Sequence, residues 1–61
     1  MDAIAMDFLA RFKAALRNIL EEDYDDGAAT EAAKEWWNDV SISGMSPEEY
    51  AALEASEYGK P

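Results

Sequence analysis

The longest amphipathic stretch of the chain runs from Ile4 to Leu20. At about 100° per residue, its apolar side chains fall within one arc of roughly 160° around a helix, and the charged ones take the remainder. The apolar arc consists of Ile4, Phe8, Leu9, Phe12, Ala15, Leu16, Ile19 and Leu20. An arc this wide exceeds what one neighbouring helix covers, so the pattern predicts a long first helix that packs against at least two partners.

A second helix is predicted over residues 27 to 40. Its apolar face is built mostly from alanine, with Trp36 near the centre. Small side chains let a helix approach its neighbour closely, so this face suits packing against the first helix. The helix begins either after a cap at Asp25 or Asp26 or later, at Thr30.

A third helix is predicted after a short loop. Residues 41 to 45 break the helical periodicity with two serines and a glycine, which predicts a loop with Ile42 or Met45 against the core. Serine, proline and glutamate then occupy the N-cap, N1 and N3 positions of residues 46 to 49. This capping box predicts a helix from 47 to about 58.

Together these patterns predict an all-α fold, a small three-helix domain that spans residues 1 to 61. The helices are placed at about 3 to 21, 27 to 40 and 47 to 58. The expected core contains Phe8, Phe12, Leu16, Ile19, Trp36 and Leu53. Since a chain of this length buries only about 60% of its unfolded surface, its stability is marginal and a homodimer is a further expectation.

The residue types present exclude most kinds of catalytic and metal site. The chain contains no cysteine and no histidine, which excludes disulfides and the usual zinc sites. Its serines lie in turn or capping contexts, and it has no glycine-rich phosphate loop. Three short helices also leave little room for a cleft that would raise the pKa of a carboxyl group. We therefore expect no enzymatic activity and no cofactor.

Charge is distributed unevenly along the chain, which carries a net −9. Up to Leu20 three bases outweigh two acids, whereas from Glu21 onward twelve acids face only Lys34 and Lys60. This excess disfavours nucleic acid or an anionic membrane as the direct ligand. The start lacks the basic region of a signal peptide, and no apolar run reaches the ~20 residues of a membrane span, so a cytoplasmic protein is expected.

The densest acidic segment lies between the first two predicted helices. It comprises Glu21, Glu22, Asp23, Tyr24, Asp25 and Asp26. A calcium loop of the EF-hand type does not fit, because placing Gly27 at its sixth position puts Tyr24 at the third and Ala33 at the twelfth, where oxygen ligands are required. Two interpretations remain, a solvated turn that caps the second helix and a surface that contacts a cationic partner.

Three carboxylates form a file on the polar side of the second helix, at Glu31, Glu35 and Asp39. One helical turn, about 5 to 6 Å, separates each from the next. Phosphates along a nucleic-acid strand have a comparable spacing, so the file can imitate that backbone, although acidic faces are also commonly just solvated. Trp37 lies at the edge of the apolar arc and is a candidate hot-spot contact, with closure of the bundle as the other interpretation.

In size, acidity and helical content, the whole chain resembles small phage-encoded inhibitors, including anti-CRISPR proteins. The resemblance rests on these overall properties, with no shared motif. It implies an inhibitor that presents its acidic surface to a basic nucleic-acid-binding protein or complex, such as a CRISPR effector whose target DNA it would exclude. The alternative is an adaptor or antitoxin-like module that binds through Trp37, Tyr24 and apolar surface.

Overall fold

Three α-helices make up most of residues 5–58, which are the residues that the computed structural model describes. Helix α1 spans Met6–Leu20, α2 spans Asp26–Ser43 and α3 spans Pro47–Ser56, and a 3-10 turn at Glu21–Asp23 follows α1. No strand occurs within the described part of the chain. The prediction of a small all-α domain with three helices and a long amphipathic first helix is confirmed.

Helix α2 runs antiparallel to α1. The side chain of Lys13 pairs with that of Asp26, at the first residue of α2. Phe8, earlier in α1, meets Trp37, which lies farther along α2, with 5.2 Å between the ring centroids. The connection between the two helices is therefore a tight corner, formed by the 3-10 turn and two further residues.

Helix α3 runs antiparallel to α2 and so in the same direction as α1. Ser43, at the end of α2, bonds to Tyr50 in the first half of α3. Trp36, two turns earlier in α2, donates its indole N–H to Glu54, one turn later in α3. The three helices are thus connected up, down and up, and both short connections lie at the ends of the bundle.

The core pairs large side chains from α1 with small ones from the other helices. One side chain from every turn of α1 is buried, at Phe8, Phe12, Leu16 and Leu20. Helices α2 and α3 face this column mostly with alanine, at Ala29, Ala32, Ala33, Ala51 and Ala55. Tyr50 is the only large side chain that α3 buries among its described residues. Alanines let the backbones of α2 and α3 pack close to this column of side chains. A chain this short can therefore still bury them.

The predicted core is correct for α1 and wrong in part for the later helices. Phe8, Phe12 and Leu16 are buried, and Ile19 and Trp36 are half-buried at the edge of the core. Leu53, however, is 43% exposed, and Tyr50 is fully buried in its place. The reason is the rotation of α3. Its alanines at 51 and 55 face inward, and Leu53 lies about 200° around the helix from each of them.

The predicted loop at residues 41 to 45 is also wrong in its first half. Helix α2 continues through Ser43 and ends at Gly44, whose φ of 68° is the left-handed conformation common at helix C-termini. Ile42 is consequently 82% exposed, whereas Met45 packs against the core, so the second alternative for this segment is correct. The hydroxyl of Ser43 bonds to Tyr50 and Asp39, a tertiary contact that favours the extra turn.

The other helix ends agree with the capping signals where they are described. Asp25 is the N-cap of α2 and accepts a hydrogen bond from the backbone N–H of Ala28. Ser46 and Glu49 form both bonds of the predicted capping box at α3. Helix α1 begins at Met6, after an extended residue, rather than at residue 3, and α3 ends at residue 56. Ile4, the first residue of the predicted apolar arc, lies outside the described residues.

Glu21 adopts a backbone conformation that favours glycine, with φ of 52° and ψ of −116°. A residue that carries a Cβ atom rarely adopts such a φ, and holding it there costs on the order of 1 to 3 kcal/mol. We expect Glu21→Gly to raise the free energy of unfolding by about 1 kcal/mol, measured by urea denaturation. Glu22→Gly is the matched control because its φ is not positive, and it should give no such gain.

Candidate partner-binding surface

The outer face of α2 carries two of the three predicted carboxylates toward solvent. Glu31 and Glu35 are both exposed and lie one turn apart. Glu31 pairs with Lys34 at 3.2 Å, with both side chains more than half exposed. An exposed ion pair of this kind is weak, so Glu31 remains available to bind a cationic side chain of a partner. The sequence therefore predicts the exposure of these two carboxylates correctly.

Asp39 does not belong to the solvent-facing file. It is half-buried, and its carboxylate accepts a hydrogen bond from Ser43 at 3.2 Å. The hydroxyl of Tyr50 also lies 3.4 Å from the same carboxylate oxygen and bonds to Ser43. Asp39, Ser43 and Tyr50 thus form a polar cluster that joins the end of α2 to α3. The expectation that Asp39 faces solvent is wrong because residue 39 lies on the flank of α2 that meets Tyr50.

Because of this cluster, Asp39 contributes to the stability of the fold. That contribution can be measured separately from any contribution to binding. A buried tyrosine hydroxyl that loses its partners costs about 1 to 3 kcal/mol. We expect Asp39→Ala to lower the free energy of unfolding by about 1 kcal/mol, and Tyr50→Phe to reduce that loss when the two changes are combined. Glu35→Ala, on the exposed side of the same helix, is the control and should change stability by less than about 0.5 kcal/mol. Equal losses from Asp39→Ala and Glu35→Ala would contradict this assignment.

The acidic segment from Glu21 to Asp26 is divided between internal contacts and exposed side chains. Asp25 is used as the cap of α2. Asp26 accepts a bond from the hydroxyl of Tyr24 at 2.9 Å and pairs with Lys13 at 3.2 Å. The bond from Tyr24, and secondly that from Lys13, lowers the pKa of Asp26 below its ordinary value. Glu21, Glu22 and Asp23 are exposed on the 3-10 turn.

Tyr24 is an internal contact of the α1–α2 corner. Its ring is half-buried and lies 5.7 Å from the guanidinium carbon of Arg17. Burial, followed by the bond to Asp26, raises the pKa of its hydroxyl. The cation at its ring and the carboxylate at its hydroxyl hold the side chain in a fixed position. Tyr24 therefore positions the corner between the two helices.

Trp37 is half-buried and partly available at the side of the bundle. Its ring is tilted by 53° against that of Phe8, a geometry common in stabilising aromatic pairs. The neighbouring Trp36 stacks on Tyr50, with ring centroids 5.3 Å apart, so the two adjacent indoles diverge to α1 and α3. Both sequence interpretations of Trp37 remain compatible with this placement, since the ring packs against Phe8 and part of the residue stays exposed.

Some charges are neutralised by contacts that the sequence gives no means of finding. Arg11 pairs with Asp7, four positions earlier on α1, at 3.4 Å, but its stronger contact is with Glu48 on α3, at 2.8 and 3.0 Å. This bidentate ion pair lowers the pKa of Glu48 and raises that of Arg11. The partners are far apart in sequence, and no periodicity predicts them. The charge of Glu48 is therefore compensated within the domain and contributes little to the surface that a partner would contact.

A concave groove lies where α1 meets the start of α2. It encloses about 280 Å³ and is lined by Ala10, Lys13, Ala14, Arg17, Tyr24 and Asp26. Within residues 5–58, no group of three or more carboxylates is arranged to hold a metal ion. None of the described helices combines the length and the apolar character needed to cross a membrane.

Comparison of the chain with family models, with curated protein sequences and with solved structures gives no significant match.

Proposed function

We propose that this protein is a non-enzymatic inhibitor that presents an acidic surface to the basic site of a nucleic-acid-binding protein. The observation that supports the proposal is a set of exposed carboxylates that no internal cation strongly neutralises. On α2 these are Glu31 and Glu35, and on the preceding turn Glu21 and Glu22. A basic site built to grip phosphates would find carboxylates at a similar spacing here.

The distribution of the internal ion pairs also supports this proposal. Asp7, Asp26 and Glu48 each lie beside a base of α1, so the bases are concentrated on one helix and compensate nearby acids. The outer face of α2 has only Lys34. Charge that remains uncompensated on one face produces a directional field, which accelerates association with a basic partner and fixes its orientation. An RNA-guided CRISPR effector is the partner class that the overall resemblance suggests, with exclusion of target DNA as the mode of inhibition.

The test is charge reversal on the proposed face, measured against a purified RNA-guided effector complex. We expect Glu35→Lys to weaken binding at least about tenfold, because an attraction becomes a repulsion within the contact. Glu57→Lys makes the same change in net charge on an exposed residue after α3 and is the matched control. Binding by biolayer interferometry should also weaken steeply between about 50 and 500 mM salt, and target DNA should compete.

Two results would contradict the inhibitor proposal. One is binding that does not depend on salt and is not displaced by nucleic acid. The other is an equal effect of Glu35→Lys and Glu57→Lys, which would assign the loss to net charge rather than to this face. Asp39 is left out of the reversal because its carboxylate is used within the fold, so that lysine there would also disturb α3.

The partly exposed indole of Trp37 supports a second candidate, an adaptor or antitoxin-like module that binds through aromatic and apolar surface. Trp37→Ala should then weaken binding by more than about 2 kcal/mol at any salt concentration. The same change removes the ring pair with Phe8, so urea denaturation of the variant must accompany the binding measurement. A loss of binding that follows the folded fraction alone would make Trp37 a purely structural residue.

A further inference from the structure

The corner between α1 and α2 depends on one strained residue, Glu21. Its φ is 52° and its ψ is −116°, although its backbone N–H still donates to the carbonyl of Arg17, as in a helix. Among the described residues other than glycine, it alone has a positive φ. Glutamate adopts helical angles of about −63° and −42° without strain, and these angles would continue α1 through the 3-10 turn at Glu21–Asp23. Straightening of the corner therefore relieves the strain.

Helices α2 and α3 form one body that can separate from α1 as a unit. Trp36 of α2 donates its indole N–H to Glu54 of α3 and packs against the ring of Tyr50. Ser43, at the end of α2, bonds to the same tyrosine. A rotation at Glu21 leaves these contacts intact. It breaks only the contacts of this body with α1, and a second copy of the chain offers an identical α1.

We propose that the chain forms a domain-swapped dimer, in which α1 of each copy continues through residue 23 and packs against α2 and α3 of the other copy. A second copy fits because the monomer already shows that α1 is complementary to the other two helices. The ring pair of Phe8 with Trp37 is re-formed between the copies, as is the ion pair of Arg11 with Glu48. The dimer thus keeps the core of the monomer and relieves the strain once in every copy.

Charge at the corner opposes this exchange. Each chain passes from one bundle to the other at residues 21 to 23, so these residues of the two copies lie side by side. All three are acidic and exposed, and their mutual repulsion favours the monomer. Salt screens this repulsion, so higher salt should raise the dimer fraction, opposite to its effect on an acidic surface bound to a basic partner. The exchange does not use the outer face of α2 and is independent of the inhibitor proposal.

Two variants of residue 21 test the proposal, because they remove the same charge and differ in strain. Glycine adopts a positive φ freely and is a poor helix former, so Glu21→Gly should favour the monomer. Alanine retains Cβ and is the best helix former, so Glu21→Ala should favour the dimer. Each chain is refolded from urea at about 1 mM protein and measured by sedimentation equilibrium. We expect the wild type to associate, and the dissociation constant of Glu21→Gly to exceed that of Glu21→Ala at least about tenfold.

A wild type that stays monomeric, or equal dissociation constants for the two variants, would overturn the proposal.

A charge exchange between α1 and α3 distinguishes swapping from any other dimer. Arg11→Glu and Glu48→Arg each place two like charges opposite one another within a monomer. In a swapped pair with one chain of each variant, α1 of either chain meets α3 of the other, and opposite charges face each other at both contacts. Joint refolding should therefore give more mixed dimer than random pairing, counted by native mass spectrometry. A dimer joined by another surface keeps the like charges within each chain, so random pairing would exclude the swap.

Discussion

The column of Phe8, Phe12, Leu16 and Leu20 on α1 is the feature on which the rest of the structure depends. These four side chains are almost completely buried, and both later helices are placed by contact with them. The alanines opposite contribute little apolar area of their own. Their value is that they let the backbones of α2 and α3 come close enough for the large side chains to be covered on two sides. A domain this small can form a core only if such close approach is achieved.

Tyr50 shows how polar groups are accommodated in this core. It is fully buried, yet its hydroxyl reaches the edge of the bundle and bonds to Ser43 and Asp39. Its ring fills the space between Phe8 and Trp36. A leucine could fill some of that volume, but it could not fix the end of α2 against α3. The polar cluster therefore gives the helices a defined register, which small alanine faces alone would leave weakly specified.

The sequence predicts the helices well and their rotation less well. The column on α1 is visible from periodicity alone, and the caps at Asp25 and Ser46 follow from local chemistry. The sequence predicts Leu53 in the core, yet the inward alanines place it at the side. Hydropathy does not distinguish an alanine face from a neutral surface, so the orientation of such a helix depends on its tertiary contacts.

The candidate binding surface is likewise only partly predictable from the sequence. Periodicity identifies which acids share a helix face, but it does not reveal which of them are used inside the fold. Asp39, Asp26 and Glu48 bond to groups on other helices, at Tyr50, Lys13 and Arg11, which come near only after folding. The exposed file on α2 is accordingly shorter than the sequence predicts, and Glu35 carries more of the proposed contact.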